Sequence, residues 1–259
     1  MYAILNFEEN FEIGEYYYVN GEYEKAISYF NECLKINESY DCLNYIGCCY
    51  LGLSDYNAAI KIFSSIIVSC PDSERPVFNL GRVYLKLDDF KNALSSFEKA
   101  ISMNPFSEDG YYYLGSYHQK IGDLQKAKMY CKKSLDIDNQ QSETYLDLGI
   151  CCFELSLFEE ALYAFSSAYK YDSDCVEAIQ NKALVYFNMR NYESALKEFQ
   201  IFAGFEPDDI DNIIDISRCY YKIGDIENSY IWSKKALAID MENKYARRLS
   251  KMINLKLQK

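Results

Sequence analysis

The sequence predicts an all-α fold, an α-solenoid of stacked helix–turn–helix units, on three observations. A small residue preceded by an apolar one returns at a period of 34 residues. Each period contains two apolar stripes of helical spacing. Gly and Pro, 11 and 4 in 259 residues, are too scarce to punctuate a multi-stranded sandwich or barrel.

The period begins at Gly14 and continues through Gly47, Gly81, Gly115 and Gly149, at spacings of 33, 34, 34 and 34. Continuing at 34 lands on Ala183 and Ser217, both small. Units are therefore expected at about 7–39, 40–73, 74–107, 108–141, 142–175, 176–209 and 210–241. Within each, the first helix is marked by a stripe at −4, −1, 0 and +3 from the small residue. The +3 position reads Tyr17, Tyr50, Tyr84, His118, Cys152, Tyr186 and Tyr220. The second helix follows with a stripe at +12, +16, +19 and +20. Its +12 position reads Ala26, Ala59, Ala93, Ala127, Ala161, Ala195 and Ser229, and its +16 position Phe30, Phe63, Phe97, Cys131, Phe165, Phe199 and Ser233.

The joints have their own chemistry. Gly21, Gly122 and Gly224 suit a left-handed residue closing the first helix, because no β-carbon opposes it. Asp55, Asp89, Asp123, Asn191 and Asp225 suit the cap of the second, accepting its free N–H groups. Pro71, Pro105 and Pro207 stand where the second helix must stop. After the last unit, residues 242–259 read as a basic capping helix, with Tyr245, Leu249, Met252 and Ile253 as its inner stripe.

These units resemble the tetratricopeptide repeat, a 34-residue helix–turn–helix motif, over about residues 7–241. The Trp favoured near the start of a repeat is replaced here by Val77, Tyr111 and Tyr145, and the single Trp232 lies elsewhere. Lys182, Ser229 and Ser233 depart from the pattern and suggest looser packing towards the C-terminal end. The resemblance implies a right-handed superhelix whose first helices line a concave groove, and a non-enzymatic interaction scaffold that holds a partner peptide or helix there.

The groove positions on each first helix are −6, −3, +1 and +4. They bring Phe11, Glu15 and Tyr18 to the first repeat, and Asn44 and Leu51 to the second. The third supplies Arg75, Phe78 and Arg82, with Lys86 one position beyond +4, and the fourth Tyr112 and Gln119, with Lys120 likewise one position beyond. Leu146, Ile150 and Phe153 follow in the fifth, Gln180, Leu184 and Phe187 in the sixth, and Arg218 and Tyr221 in the seventh. Leu146, Ile150, Phe153, Leu184 and Phe187 make an apolar patch, the kind of surface that marks interaction sites. Arg75, Arg82, Lys86 and Lys120 make a basic cluster. Position −6 is acidic in six of seven repeats (Glu8, Asp41, Asp109, Glu143, Glu177 and Asp211), which also suits a helix N-terminus. The first repeat carries eight Glu against Lys25 and Lys35. The expected partner is an amphipathic protein segment with an apolar anchor in repeats five and six, an acidic group near repeat three and a basic segment near repeat one.

Charge and composition narrow the function further. The net charge is −12, and residues 242–259 carry one acid against six bases, so residues 1–241 carry −17. Such a body repels phosphate backbones, which excludes nucleic acid as a general partner. No run of 18 apolar residues occurs, so no membrane insertion is expected. The start, Met1 to Glu9, has no basic-then-apolar pattern, so a secretory signal is not expected. Ten cysteines without a Cys-x-x-Cys pair read as reduced packing residues, hence a cytoplasmic protein without a metal site or cofactor. The single histidine, His118, sits at a packing position, and no nucleophile–base or phosphate-loop motif accompanies it. Chaperone-binding relatives hold a C-terminal carboxylate with Lys at −3, and no repeat here has Lys at that position. An alternative is self-assembly into a homo-oligomer, with the basic C-terminal helix docking in the acidic groove of another copy through Leu255 and Leu257.

Overall fold

The computed structural model describes residues 6–257, with the backbone alone for Leu257. Among the described residues every regular element is an α-helix. The order is α1 (Phe7–Val19), α2 (Tyr23–Ile36), α3 (Tyr40–Gly52), α4 (Tyr56–Ser69), α5 (Glu74–Lys86), α6 (Phe90–Met103), α7 (Glu108–Lys120) and α8 (Leu124–Ile137). It continues with α9 (Ser142–Glu154), α10 (Phe158–Tyr171), α11 (Val176–Asn188), α12 (Tyr192–Phe205), α13 (Ile210–Ile223), α14 (Ile226–Ile239) and α15 (Lys244–Leu257). The chain divides after Gly122 into two compact units. In the first, α1 to α7 pack each on the next, and the first helices α1, α3, α5 and α7 also touch in series. In the second, α8 to α15 pack each on the next, with further contacts between α9 and α11 and between α13 and α15. This is the all-α solenoid of helical repeats that the period predicts.

The small residue recurs because a phenylalanine fills the space where its side chain would be. A β-carbon on Gly14 would lie 2.8 Å from the Phe30 ring, on Gly47 2.5 Å from Phe63, on Gly81 2.7 Å from Phe97 and on Gly149 2.5 Å from Phe165. Those four rings and Phe199 are at most 1% exposed, and Phe199 shares its cluster with Ala183. In those four repeats the first helix is thus locked to its own second helix by a residue sixteen positions on.

The joints form as their residues require. Gly21, Gly122 and Gly224 adopt φ of 73, 81 and 100°. In repeats without that glycine, Ser54, Asp88, Ser156 and Arg190 take the same left-handed region at 57 to 61°. The side chains of Asp55, Asp89, Asp123, Asn191 and Asp225 each accept the backbone N–H three residues on, at 3.0 to 3.2 Å. The helices before Pro71, Pro105 and Pro207 end two residues earlier, at Ser69, Met103 and Phe205.

The looser packing expected at the C-terminal end does not appear. Ser217, Ser229 and Ser233 are completely buried. The Ser217 hydroxyl donates to the Ser229 carbonyl at 2.7 Å, and the Ser229 hydroxyl donates back to the Ser217 carbonyl at 2.8 Å. A reciprocal pair of small polar groups therefore replaces the apolar contact, with both donors satisfied. Lys182 reaches Glu198 at 2.8 Å, which neutralises the charge in its half-buried position.

The phase expected for the terminal helix is also corrected. The buried side of α15 is Ala246, Leu249, Ser250 and Ile253, whereas Tyr245 is 76% and Met252 43% exposed. Close approach to α13 and α14 selects the small Ala246 over the bulky Tyr245 beside it.

Candidate functional site

The groove positions behave differently in the two units. In the first unit, aromatic packing claims part of the face. Phe11 stacks on Phe7 at 6.0 Å and meets Phe30 and Tyr45 edge-on at 5.6 and 5.7 Å. Phe78 meets Tyr113 edge-on at 5.1 Å and tilts against Phe97 at 6.1 Å. Glu15 accepts the Tyr45 hydroxyl at 2.7 Å. Asn79 donates to Asn44 at 2.9 Å and accepts from Arg82 at 3.0 Å, so a polar ladder joins α3 to α5.

Behind this wall lies a cleft of about 640 Å³. It gathers Tyr18, Leu51, Arg82, Lys86, Tyr112 and Lys120, all expected in the groove. The Arg82 guanidinium lies 5.1 Å over the Tyr113 ring and 6.0 Å over Phe78. Lys120 donates to the Leu85 carbonyl at 3.0 Å and pairs with Asp88 at 2.5 Å. Burial pushes the Tyr18 phenol up to about 12, so it stays protonated as a donor. Arg75 does not join this cluster. It pairs with Asp41 at 3.8 Å with both side chains about 70% exposed, out on the rim. Gln119 is half-buried outside the cleft lining.

In the second unit, Leu146, Ile150 and Phe153 lie on α9, and Leu184 and Phe187 on the adjacent α11. All five are half-buried: one side packs on the core and the other remains open. Phe153 tilts against Phe158 at 6.2 Å, and Phe187 meets Tyr192 edge-on at 5.3 Å. The Arg218 guanidinium covers part of Phe187 at 4.4 Å from its ring centre. Gln180 is half-buried on the same helix. Beyond it, Ile214, Arg218 and Tyr221 of α13 and Tyr245 and Met252 of α15 line a second hollow of about 570 Å³. Arg218 also pairs with Asp215 there, and burial raises that carboxyl against the pull of the guanidinium.

The acids at −6 all stand exposed in the first turn of their helices, the position where they favour the helix dipole. Position −2 carries groove-building residues that the expected face leaves out. Tyr45, Asn79 and Tyr113 occupy it, and they build the wall against which the groove residues are held. The recurrence of aromatic or hydrogen-bonding side chains at −2 is the sequence signal that marks them.

Eight of the ten cysteines are buried and all are free thiols. Burial pushes Cys33, Cys49, Cys151 and Cys219 up to about 12, so they persist as apolar thiols. No helix of the described residues is long and apolar enough to cross a membrane.

Comparison with known proteins agrees with this architecture. Two models described as tetratricopeptide repeat match residues 7–40 and 41–73. A third, described as anaphase-promoting complex, cyclosome, subunit 3, matches residues 86–168. A search of curated protein sequences returns no match. Among solved structures, YrrB, described as a TPR protein with an unusual peptide-binding site, is similar at a TM-score of 0.67 and 19% identity, over 73% of this chain and 97% of its own. The C-terminal part of a TPR repeat-containing protein from Cytophaga hutchinsonii is similar at 0.68 and 19%, over 92% and 98%. The APC/C hetero-tetramer Cut9–Hcn1 is similar at 0.69 and 18%, over 92% of this chain and 47% of that one. At these identities the likeness is one of fold.

Proposed function

This chain belongs to the tetratricopeptide repeat family, whose members generally serve as protein-interaction scaffolds, and we propose that it holds a peptide or helical segment of a partner protein against its first helices. The scaffold carries no chemistry of its own and works in a reducing compartment such as the cytoplasm, where its ten thiols stay free. We place its repeats at about residues 7–241 and its cap in the segment 242–259, of which the last two residues lie outside the described ones.

The observation that carries the reading is the half-buried apolar row Leu146, Ile150, Phe153, Leu184 and Phe187. Rings and aliphatic chains with one face on the core and one open are held in place before a partner arrives. Binding then costs little side-chain entropy. The partner supplies an apolar anchor for this row, and a basic segment for the acidic first repeat.

The apolar side of α15 is already seated on α13 and α14. That seating makes α15 a cover for the last repeat, whereas self-assembly would use the other side of the helix, where Leu255 stands. Leu255 is 58% exposed, and the Leu257 side chain lies outside the described residues.

Phe153→Ala and Phe187→Ala test the reading. Proteins captured from a native lysate by the parent chain, identified by mass spectrometry, are expected to be lost from both variants while helical circular dichroism holds. Collapse of the dichroism would make the two rings core residues and sink the groove assignment.

A further inference from the structure

The first-unit cleft has a composition that the rest of the chain does not prepare for. Three cations, five tyrosines and two serines line it, and no Asp or Glu does among the described residues. The chain as a whole carries 39 acids against 27 bases. The charges inside are also incompletely balanced. Lys120 has Asp88 and the Leu85 carbonyl. Arg82 donates to the neutral Asn79, lies against the Cys48 thiol, and feels Asp109. Lys86 stands exposed at the rim. The aromatic rings beneath Arg82 hold its guanidinium in place without neutralising it.

We propose that this cleft recognises a phosphate monoester, presented as a phosphorylated side chain of the bound peptide. The inference deepens the groove reading, and rests on it for the peptide though not for the anion. A phosphate monoester carries about −1.5 to −2 charges at pH 7 and three acceptor oxygens, against one charge for a carboxylate. Arg82 and Lys86 supply two positive charges on one wall of the cleft. Five tyrosines and two serines line the same space, side chains whose hydroxyls are able to donate to phosphate oxygens. The long-range field of a −12 body opposes any anion, so affinity has to come from short, directional, charge-assisted hydrogen bonds. A guanidinium fixed over two rings is the group best suited to give them.

Two arms of one experiment separate this inference from the groove reading. In the first, phenyl phosphate and benzoate are titrated into the full chain and followed by NMR. Phenyl phosphate is expected to bind one to one and at least tenfold more tightly than benzoate. Lys86→Ala and Arg82→Ala should each weaken it at least tenfold, and Lys61→Ala on α4 should not. Lys86 is exposed, so its variant stays informative if Arg82→Ala disturbs folding. In the second arm, degenerate peptide libraries with a central phosphoserine, phosphotyrosine, glutamate or serine are passed over the immobilised chain. The phosphorylated libraries are expected to be retained at least tenfold better. Equal affinity for benzoate, or indifference to Lys86→Ala, overturns the phosphate site. Equal retention of all four libraries overturns it too, while the groove reading stands. Phenyl phosphate binding through Lys86 with no library retained removes the peptide from both readings and leaves the anion site.

Discussion

A glycine in the middle of a helix normally weakens it, since it adds chain entropy and no packing. At Gly47 the cost is offset by the Phe63 ring, which fills the volume a side chain would occupy. The exchange can be measured. Gly47→Val should destabilise the chain by about 1–3 kcal/mol in urea unfolding, because Phe63 is fully buried and has nowhere to move. A β-carbon on Gly204 in α12 would meet nothing within 4 Å, so Gly204→Ala should be neutral or stabilising. A loss at Gly204 equal to that at Gly47 would show that the contact with the Phe63 ring does not set the cost at Gly47, since helix propensity alone predicts a gain at both sites.

At the scale of the element, helices are delimited by side chains that act on the backbone. Gly224 joins α13 to α14 at φ 100°, and nothing crowds its missing β-carbon. Gly224→Ala should therefore cost about 1 kcal/mol through backbone conformation alone, read from the thermal midpoint. No change in the midpoint would mean that the joint relaxes to another turn. The same joint is made at Arg190 by a residue with a β-carbon, and there the Asn191 cap and the packed helices on either side hold the turn. Glycine at this position is thus favourable but dispensable. That is why four joints carry no glycine in the sequence.

Across the molecule, each helix in a unit packs chiefly on its sequence neighbours, so stability is a sum of repeats and interfaces with no single core. An end repeat then needs a cover. Ala246, Leu249 and Ile253 of α15 supply it, sharing a cluster with Ile213, Ile214 and Ala236. A chain ending at Met241 should lower the thermal midpoint and self-associate in light scattering, because a Leu and an Ile removed from water contribute about 1.5–3 kcal/mol each. A monomer with an unchanged midpoint would rule out the capping role. The fold is legible because the same requirement recurs every 34 residues, and a single weak signal becomes strong by repetition. The terminal helix occurs once, and its phase is easily misread because apolarity points to Tyr245 and Met252 while close approach selects Ala246. The groove is legible as a face but not as a surface. Spacing puts Phe11, Glu15 and Arg75 on it, yet Tyr45 and Asp41 engage the latter two, and neighbouring rings enclose the first. Side-chain partners thirty or more residues away in the chain are invisible to a helical wheel.

The glycine and phenylalanine that lock a repeat both belong to that repeat. Their pairing is therefore inherited whole whenever the 34-residue unit is copied. Gene duplication can lengthen such a chain, and unequal crossing-over can shorten it, without separating a ring from the glycine it fills. The outer faces of the helices are left free to diverge, so novelty in binding accumulates on a scaffold that is reproduced by the cassette.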